Sequence, residues 1–122
     1  MMEMHFRKLK VWEKSFDLVK AVYELCKKLP KDEVYGLTSQ IRRAAVSVPS
    51  NIAEGSQRST EKDFANFLLI AKGSLAELET QLLLVRALGY CNSDDLKEIL
   101  VHVEEIHRML HSFYSKLVAR SS

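Results

Sequence analysis

One run of apolar residues constrains this chain more than any other feature. Between residues 60 and 88, Phe64, Leu68, Ala71, Leu75, Leu78, Leu82 and Val85 recur at alternating steps of four and three. That rhythm keeps one face of an α-helix apolar for about six turns and cannot serve a β-strand, whose side chains alternate every second residue. A helix of that length needs partners to cover its apolar face. The rest of the chain supplies three more segments of the same kind, so the expected fold is all-α, an up-down antiparallel four-helix bundle filling residues 1–122 as one domain.

The four helices are expected at about residues 9–29, 36–55, 60–88 and 93–117. In the first, Leu9, Trp12, Phe16, Val19, Tyr23 and Cys26 form a seam, with a second stripe of Leu18, Val22, Leu25 and Leu29 beside it. Together they span roughly 200° of the helix, whereas a surface helix typically shows an apolar stripe a little over 100° wide. One side suits a bundle core and the other calls for a partner surface. Trp12, on the seam, is read as a core residue. The third helix is widened in the same way by Phe67, Ile70, Leu83, Leu84 and Leu88, and its small residues Ala71, Gly73, Ser74 and Ala76 allow close helix approach. The second has Leu37, Ile41, Ala44, Ala45, Val48 and Ile52 inward, and the fourth has Leu96, Ile99, Val103, Ile106, Leu110, Phe113 and Leu117.

The ends carry stop and start signals. Pro30 ends the first helix, Thr60 and Asp63 resemble a capping box, and Gly89 closes the third helix. Asp94 and Asp95 sit where a helix dipole favours anions, and the tail Ala119–Ser122 is expected to fray. Pro49 falls inside the second helix and predicts a kink or break, because it lacks an N–H and clashes with the carbonyl four residues back, that of Ala45. Ser47, Ser50 and Asn51 are placed to bond the freed backbone groups, Glu54 to pair with Arg42 or Arg43, and Gly55 to adopt a left-handed C-cap.

Only 4 Gly and 2 Pro interrupt the chain, and the 47% apolar and 28% charged fractions are those of an ordinary globular domain. No run of 18 apolar residues predicts a membrane span, and the charged residues 1–10 lack the apolar core of a signal peptide. Cys26 and Cys91 form no Cys-x-x-Cys pair and are read as free thiols in a cytoplasmic protein.

Net charge is +2, unevenly spread: residues 1–31 hold eight Lys/Arg against four Asp/Glu, and the remainder is balanced or slightly acidic. Arg7, Lys8, Lys10 and Lys14 crowd the start of the first helix, and Arg42, Arg43 and Arg58 gather around the second. These seven are the candidate phosphate contacts for a nucleic acid. The other chemistries have less support. Glu104, His107 and His111 share one helical stripe and supply half of a di-iron pattern, but there is no second Glu-x-x-His, so the stripe is read as an exposed polar face. Ser47 sits on no strand-to-helix elbow, and the glycines form no phosphate-binding loop. No catalytic residue, metal, cofactor or small-molecule substrate is expected.

Three stretches carry a family resemblance. They are Phe6 to Trp12, Leu37 to Gly55 with its Arg-Arg-x-x-x-Ser-x-Pro-x-Asn-Ile-Ala-Glu-Gly run, and Phe67 to Thr80. Together they resemble the bacterial four-helix-bundle proteins encoded in intervening sequences of 23S rRNA genes, over about Phe6 to Leu117. The resemblance implies an up-down bundle assembling as a homopentameric ring without established enzyme activity. Similar bundles serve as accessory subunits of reverse transcriptases in diversity-generating retroelements. The functional expectation is therefore a non-enzymatic oligomer that binds structured RNA or a ribonucleoprotein. The competing one is a protein-interaction scaffold whose basic residues are merely solvated.

Overall fold

The computed structural model describes residues 5–121. The reading of residues 1–10 as no signal peptide, and of Ser122 as frayed, therefore lies partly outside the described residues. The four helices are α1 (Lys10–Cys26), α2 (Leu37–Ser56), α3 (Glu61–Ala87) and α4 (Ser93–Ser121), with single 3-10 turns at Phe6–Lys8 and Lys31–Glu33. Each helix packs against its sequence neighbour and α1 also packs against α4, while among the described residues the backbones of α1 and α3, and of α2 and α4, do not come close. This is the up-down bundle, with α1 and α3 on one diagonal.

Local chemistry sets the boundaries. Lys27, Lys28 and Leu29 continue α1 only as 3-10-type bonds to Glu24, Leu25 and Cys26, because Leu29 precedes Pro30 and is disfavoured from helical geometry. The Thr60 side chain accepts from Asp63 N–H at 3.1 Å and starts α3. Gly89, at φ 75°, ends it in a Schellman motif, with Tyr90 N–H on the Val85 carbonyl and Gly89 N–H on that of Arg86. Asn92 and Asp95 exchange side-chain-to-backbone bonds of 2.9 and 3.3 Å and open α4. Residues 119–121 do not fray, since α4 runs through Ser121. Leu117 is buried, and Arg120 reaches Glu61 at 3.2 Å across the α3 start.

The α3 and α4 seams are buried as their spacing predicts, apart from Phe113, which packs half-buried against the core. The α1 assignment is reversed in its middle, although Cys26 of the expected seam is buried in the core. Leu18, Val22 and Leu25 fill the core together with Val11 and Ser15, while Phe16 is 46% exposed, Tyr23 is exposed and Trp12 is only half-buried. Ser15 explains the reversal. Its hydroxyl bonds the Trp12 carbonyl at 2.9 Å, so a polar residue sits satisfied in the core and breaks the inward stripe as read from sequence.

A second correction is that Pro49 does not break α2. α2 is unbroken from Leu37 to Ser56, with Pro49 buried inside it. Burial of Ala45, Val48, Pro49 and Ile52 on one face stabilises the helix against the missing bond. The polar residues beside Pro49 tie α2 to its own backbone and to α3. Asn51 donates to the Ser47 carbonyl (2.8 Å) and hydroxyl (2.9 Å), and Ser47 bonds Ser74 of α3 at 2.7 Å. Gly55 takes no left-handed conformation and lies buried in the helix against α3. Glu54 pairs with Arg58 at 2.9 Å, not with Arg42 or Arg43, because one helical turn separates them on the same face.

Candidate nucleic-acid interface

The bundle separates the seven basic residues into two groups. Arg7 and Lys8 are exposed on the 3-10 turn that precedes α1, and Lys10 is exposed at its first residue. None of the three makes an ion pair among the described residues. Arg58 lies at the same end, just past α2, but is committed to Glu54 and stacked over Phe67 at 4.5 Å. Lys14 is also committed, with Glu105 of α4 2.7 Å from its ammonium. That hydrogen bond raises the Lys14 pKa and lowers that of Glu105, each holding the other charged.

Arg42 and Arg43 stand elsewhere. Arg43 lies about 20 Å along the axis from the last residue of α2, exposed and without an ion pair among the described residues. Arg42 is half-buried, over the Tyr23 ring at 5.2 Å and beside the Cys26 thiol. Burial raises the pKa of that thiol and the neighbouring guanidinium partly offsets the effect. Cys26 and Cys91 are both free. Trp12, expected in the core, sits between Phe6 and Phe16 with ring centroids 5.2 and 5.0 Å away, and lines an apolar groove of about 410 Å³ between α1 and α2.

The structure adds two cations that sequence reasoning missed. Lys10 shares a groove of about 460 Å³ between α1 and α4 with Arg108 and Lys116. Lys116 is exposed and makes no ion pair among the described residues, while Arg108 pairs with Glu104 at 3.0 Å. The signal for Lys116 was topological: in an up-down bundle the last turns of the fourth helix lie beside the first turn of the first.

The histidine stripe is the polar face expected at Glu104 and His111, both exposed, and departs from it only at His107. His107 is half-buried and meets Glu79 of α3 at 3.4 Å, because its helical position points toward the α3 flank. His111 faces Lys72 at 3.4 Å, and Glu104 turns to Arg108. Among the described residues no three His, Cys, Asp or Glu side chains are grouped to hold a metal ion. No helix is long and apolar enough to cross a membrane.

Comparison with known proteins agrees with this architecture. A family model described as 23S rRNA-intervening sequence protein matches residues 7–112. A crystal structure from Bacteroides thetaiotaomicron, described as a protein with unknown function from the S23 ribosomal protein family, superposes with a TM-score of 0.79. It is 28% identical and covers 85% of this chain and 97% of its own. No curated protein matches the chain.

Proposed function

Because the chain belongs to the family of 23S rRNA-intervening sequence proteins, we propose that it acts without catalysis as a cytoplasmic homo-oligomer, a pentameric ring, that binds structured RNA or another nucleic acid through a basic surface. The observation that carries the reading is the cluster of cations at one end of the bundle that make no ion pair among the described residues: Arg7, Lys8 and Lys10, with Lys116 across the α1–α4 groove. Free cations release condensed counterions when they meet phosphates, and cations already held by a carboxylate contribute less. Lys14 and Arg58 thereby rank below the other three, and Arg42 and Arg43 belong to a different part of the surface.

Two apolar patches support assembly. One lies on α1, around Phe16 and Tyr23. The other lies on α3, around Leu69, Ile70, Leu83, Leu84 and Leu88. The two helices are diagonal partners, so the two patches lie on different sides of the bundle. Two unlike patches on different sides favour head-to-tail contact, which closes into a ring when the rotation allows. The number five comes from the family resemblance. A ring repeats the Arg7–Lys10 cluster once per subunit and concentrates positive charge on one rim. The matches point to no enzymatic family.

The test is binding of a labelled structured RNA beside duplex DNA of equal length, across a salt series. Micromolar or tighter RNA binding with a steep salt slope is expected, and Lys10→Glu with Lys116→Glu weakens it. Absence of binding at low salt overturns the reading and leaves a protein scaffold as the working function.

A further inference from the structure

The turn between α1 and α2 builds a second candidate site. Cys26, Lys27, Lys31, Thr38 and Arg42 line a pocket of about 340 Å³ whose walls are completed by apolar residues. Three basic residues line it and no acidic residue does. Lys27 is held by Glu24 at 2.9 Å, whereas Lys31 makes no ion pair among the described residues. Arg42 makes no ion pair among the described residues and has the Tyr23 ring and the Cys26 thiol beside it.

Two donors in this wall are left over. The Thr38 hydroxyl and the Arg42 Nε–H are buried without a hydrogen-bond partner among the described residues, and Thr38 is 3% exposed. Buried donors left without a partner are destabilising and call for an explanation. The backbone adds to the same polarity. Thr38 is the second residue of a 20-residue helix whose N-cap, Gly36, offers no side-chain acceptor. Glu33 accepts from Leu37 N–H at 3.3 Å, and its other oxygen is taken by the Tyr90 hydroxyl at 2.8 Å. The next N–H groups of that first turn have no carbonyl within the helix to meet, and they form the positive end of its dipole.

We propose that this pocket binds a phosphate-type oxyanion, with Arg42 and Lys31 supplying charge and the Thr38 hydroxyl and first turn of α2 supplying neutral donors. Arg42 offers a planar pair of donors suited to two oxygens of one phosphate. The site lies at the opposite end of the bundle from Arg7, Lys8 and Lys10, so it stands or falls separately from the RNA reading. The phosphate can come from a free small anion or from the end of a nucleic acid, and the chemistry is the same.

The experiment is NMR titration of the full chain with inorganic phosphate and pyrophosphate, against chloride at equal ionic strength. Saturable shifts centred on residues 31–42 are expected. Arg42→Gln should weaken binding about tenfold or more, as for the loss of a charge-assisted hydrogen bond. Lys31→Gln, on an exposed side chain that carries no fold contact, should weaken it in the same direction and keeps the test sound if the Arg42 variant misfolds. A phosphate response no different from chloride, or unchanged affinity in both variants, overturns the proposal. A second arm uses one short RNA with and without a 5′-phosphate. Preference for the phosphorylated strand, lost on adding inorganic phosphate, supports the site with a nucleic-acid end as its source. Equal RNA binding alongside saturable phosphate binding supports it with a free anion as the source.

Discussion

Gly55 of α2 lies directly against Phe67 of α3: a Cβ at Gly55 would stand 2.6 Å from the Phe67 Cβ and 2.9 Å from Cδ1 of Phe64. Real Cβ atoms do not approach so closely, and the nearest obstacle is a Cβ fixed to the α3 backbone. Gly55→Ala gains helix propensity of about 1 kcal/mol but must push two helices apart, and overpacking costs about 1–3 kcal/mol or more. The expected net effect is a loss, read as a lower urea midpoint. Gly73 is the control. It is helical and exposed with nothing within 4 Å of an added Cβ, so Gly73→Ala should stabilise by about 0.5–1 kcal/mol.

The Asn51–Ser47–Ser74 chain predicts coupling between α2 and α3. The Ser47 and Ser74 hydroxyls are 2.7 Å apart, and Asn51 donates to Ser47 at 2.9 Å. Ser74→Ala should cost about 1 kcal/mol, because it removes the partner of a part-buried hydroxyl. Ser47→Ala should cost more, since it strips a partner from both Ser74 and Asn51. A double-mutant cycle by denaturant unfolding should show the pair costing less than the two singles added. Strict additivity would mean that the hydroxyls are not bonded in solution.

Acid should weaken the clasp between α1 and α4. The Asp95 carboxyl is held below the usual range chiefly by its hydrogen bond to Lys28, at 2.9 Å, and burial opposes the shift. Glu105 is lowered in the same way by Lys14. A carboxylate with a depressed folded pKa contributes stability that is present above its unfolded pKa, about 4, and is lost as pH falls through the folded value. The urea-midpoint difference between wild type and Asp95→Asn should therefore be largest near neutrality and shrink below about pH 4. Lys28 is shifted upward by the same bond, so its contribution persists below about pH 10 and fades as pH rises through its folded value. A constant difference from pH 7 to pH 3 would contradict the Lys28–Asp95 pairing.

What was legible in sequence follows from which forces act locally. Thr60, Gly89 and the seams of α3 and α4 were readable because capping and a 3.6-residue period depend only on near neighbours. The α1 faces were not, since two apolar arcs of similar strength leave their orientation to the packing of α2 and α4, and Ser15 disguises the inner one. Pro49 and Gly55 were misread for a related reason. Their local preferences are for a break and a cap, and contact with Trp12's groove and with Phe67 overrides them. Among the basic residues, composition exposed the crowding at Arg7–Lys10. It could not show that Lys14 and Arg58 are neutralised, or that Lys116 arrives from the far end of the chain.

The reversal of the α1 faces changes how assembly is tested. Phe16, 46% exposed, now marks the outward face of α1, and Ile70, 51% exposed, that of α3. Neither side chain supports the monomer core, so Phe16→Glu and Ile70→Glu should each leave helix content intact by circular dichroism. If the ring closes by placing the α1 face of one copy on the α3 face of the next, each variant keeps one sound face and loses the other. Either variant alone should then fall to the 14.0 kDa monomer by light scattering. Mixed in equal amounts, they should recover a single intact junction and run as a dimer, because the sound α3 face of the Phe16 variant meets the sound α1 face of the Ile70 variant. A two-fold interface that uses the same patch on both copies gives no such rescue. Full-size oligomer in both variants would remove these faces from the assembly altogether.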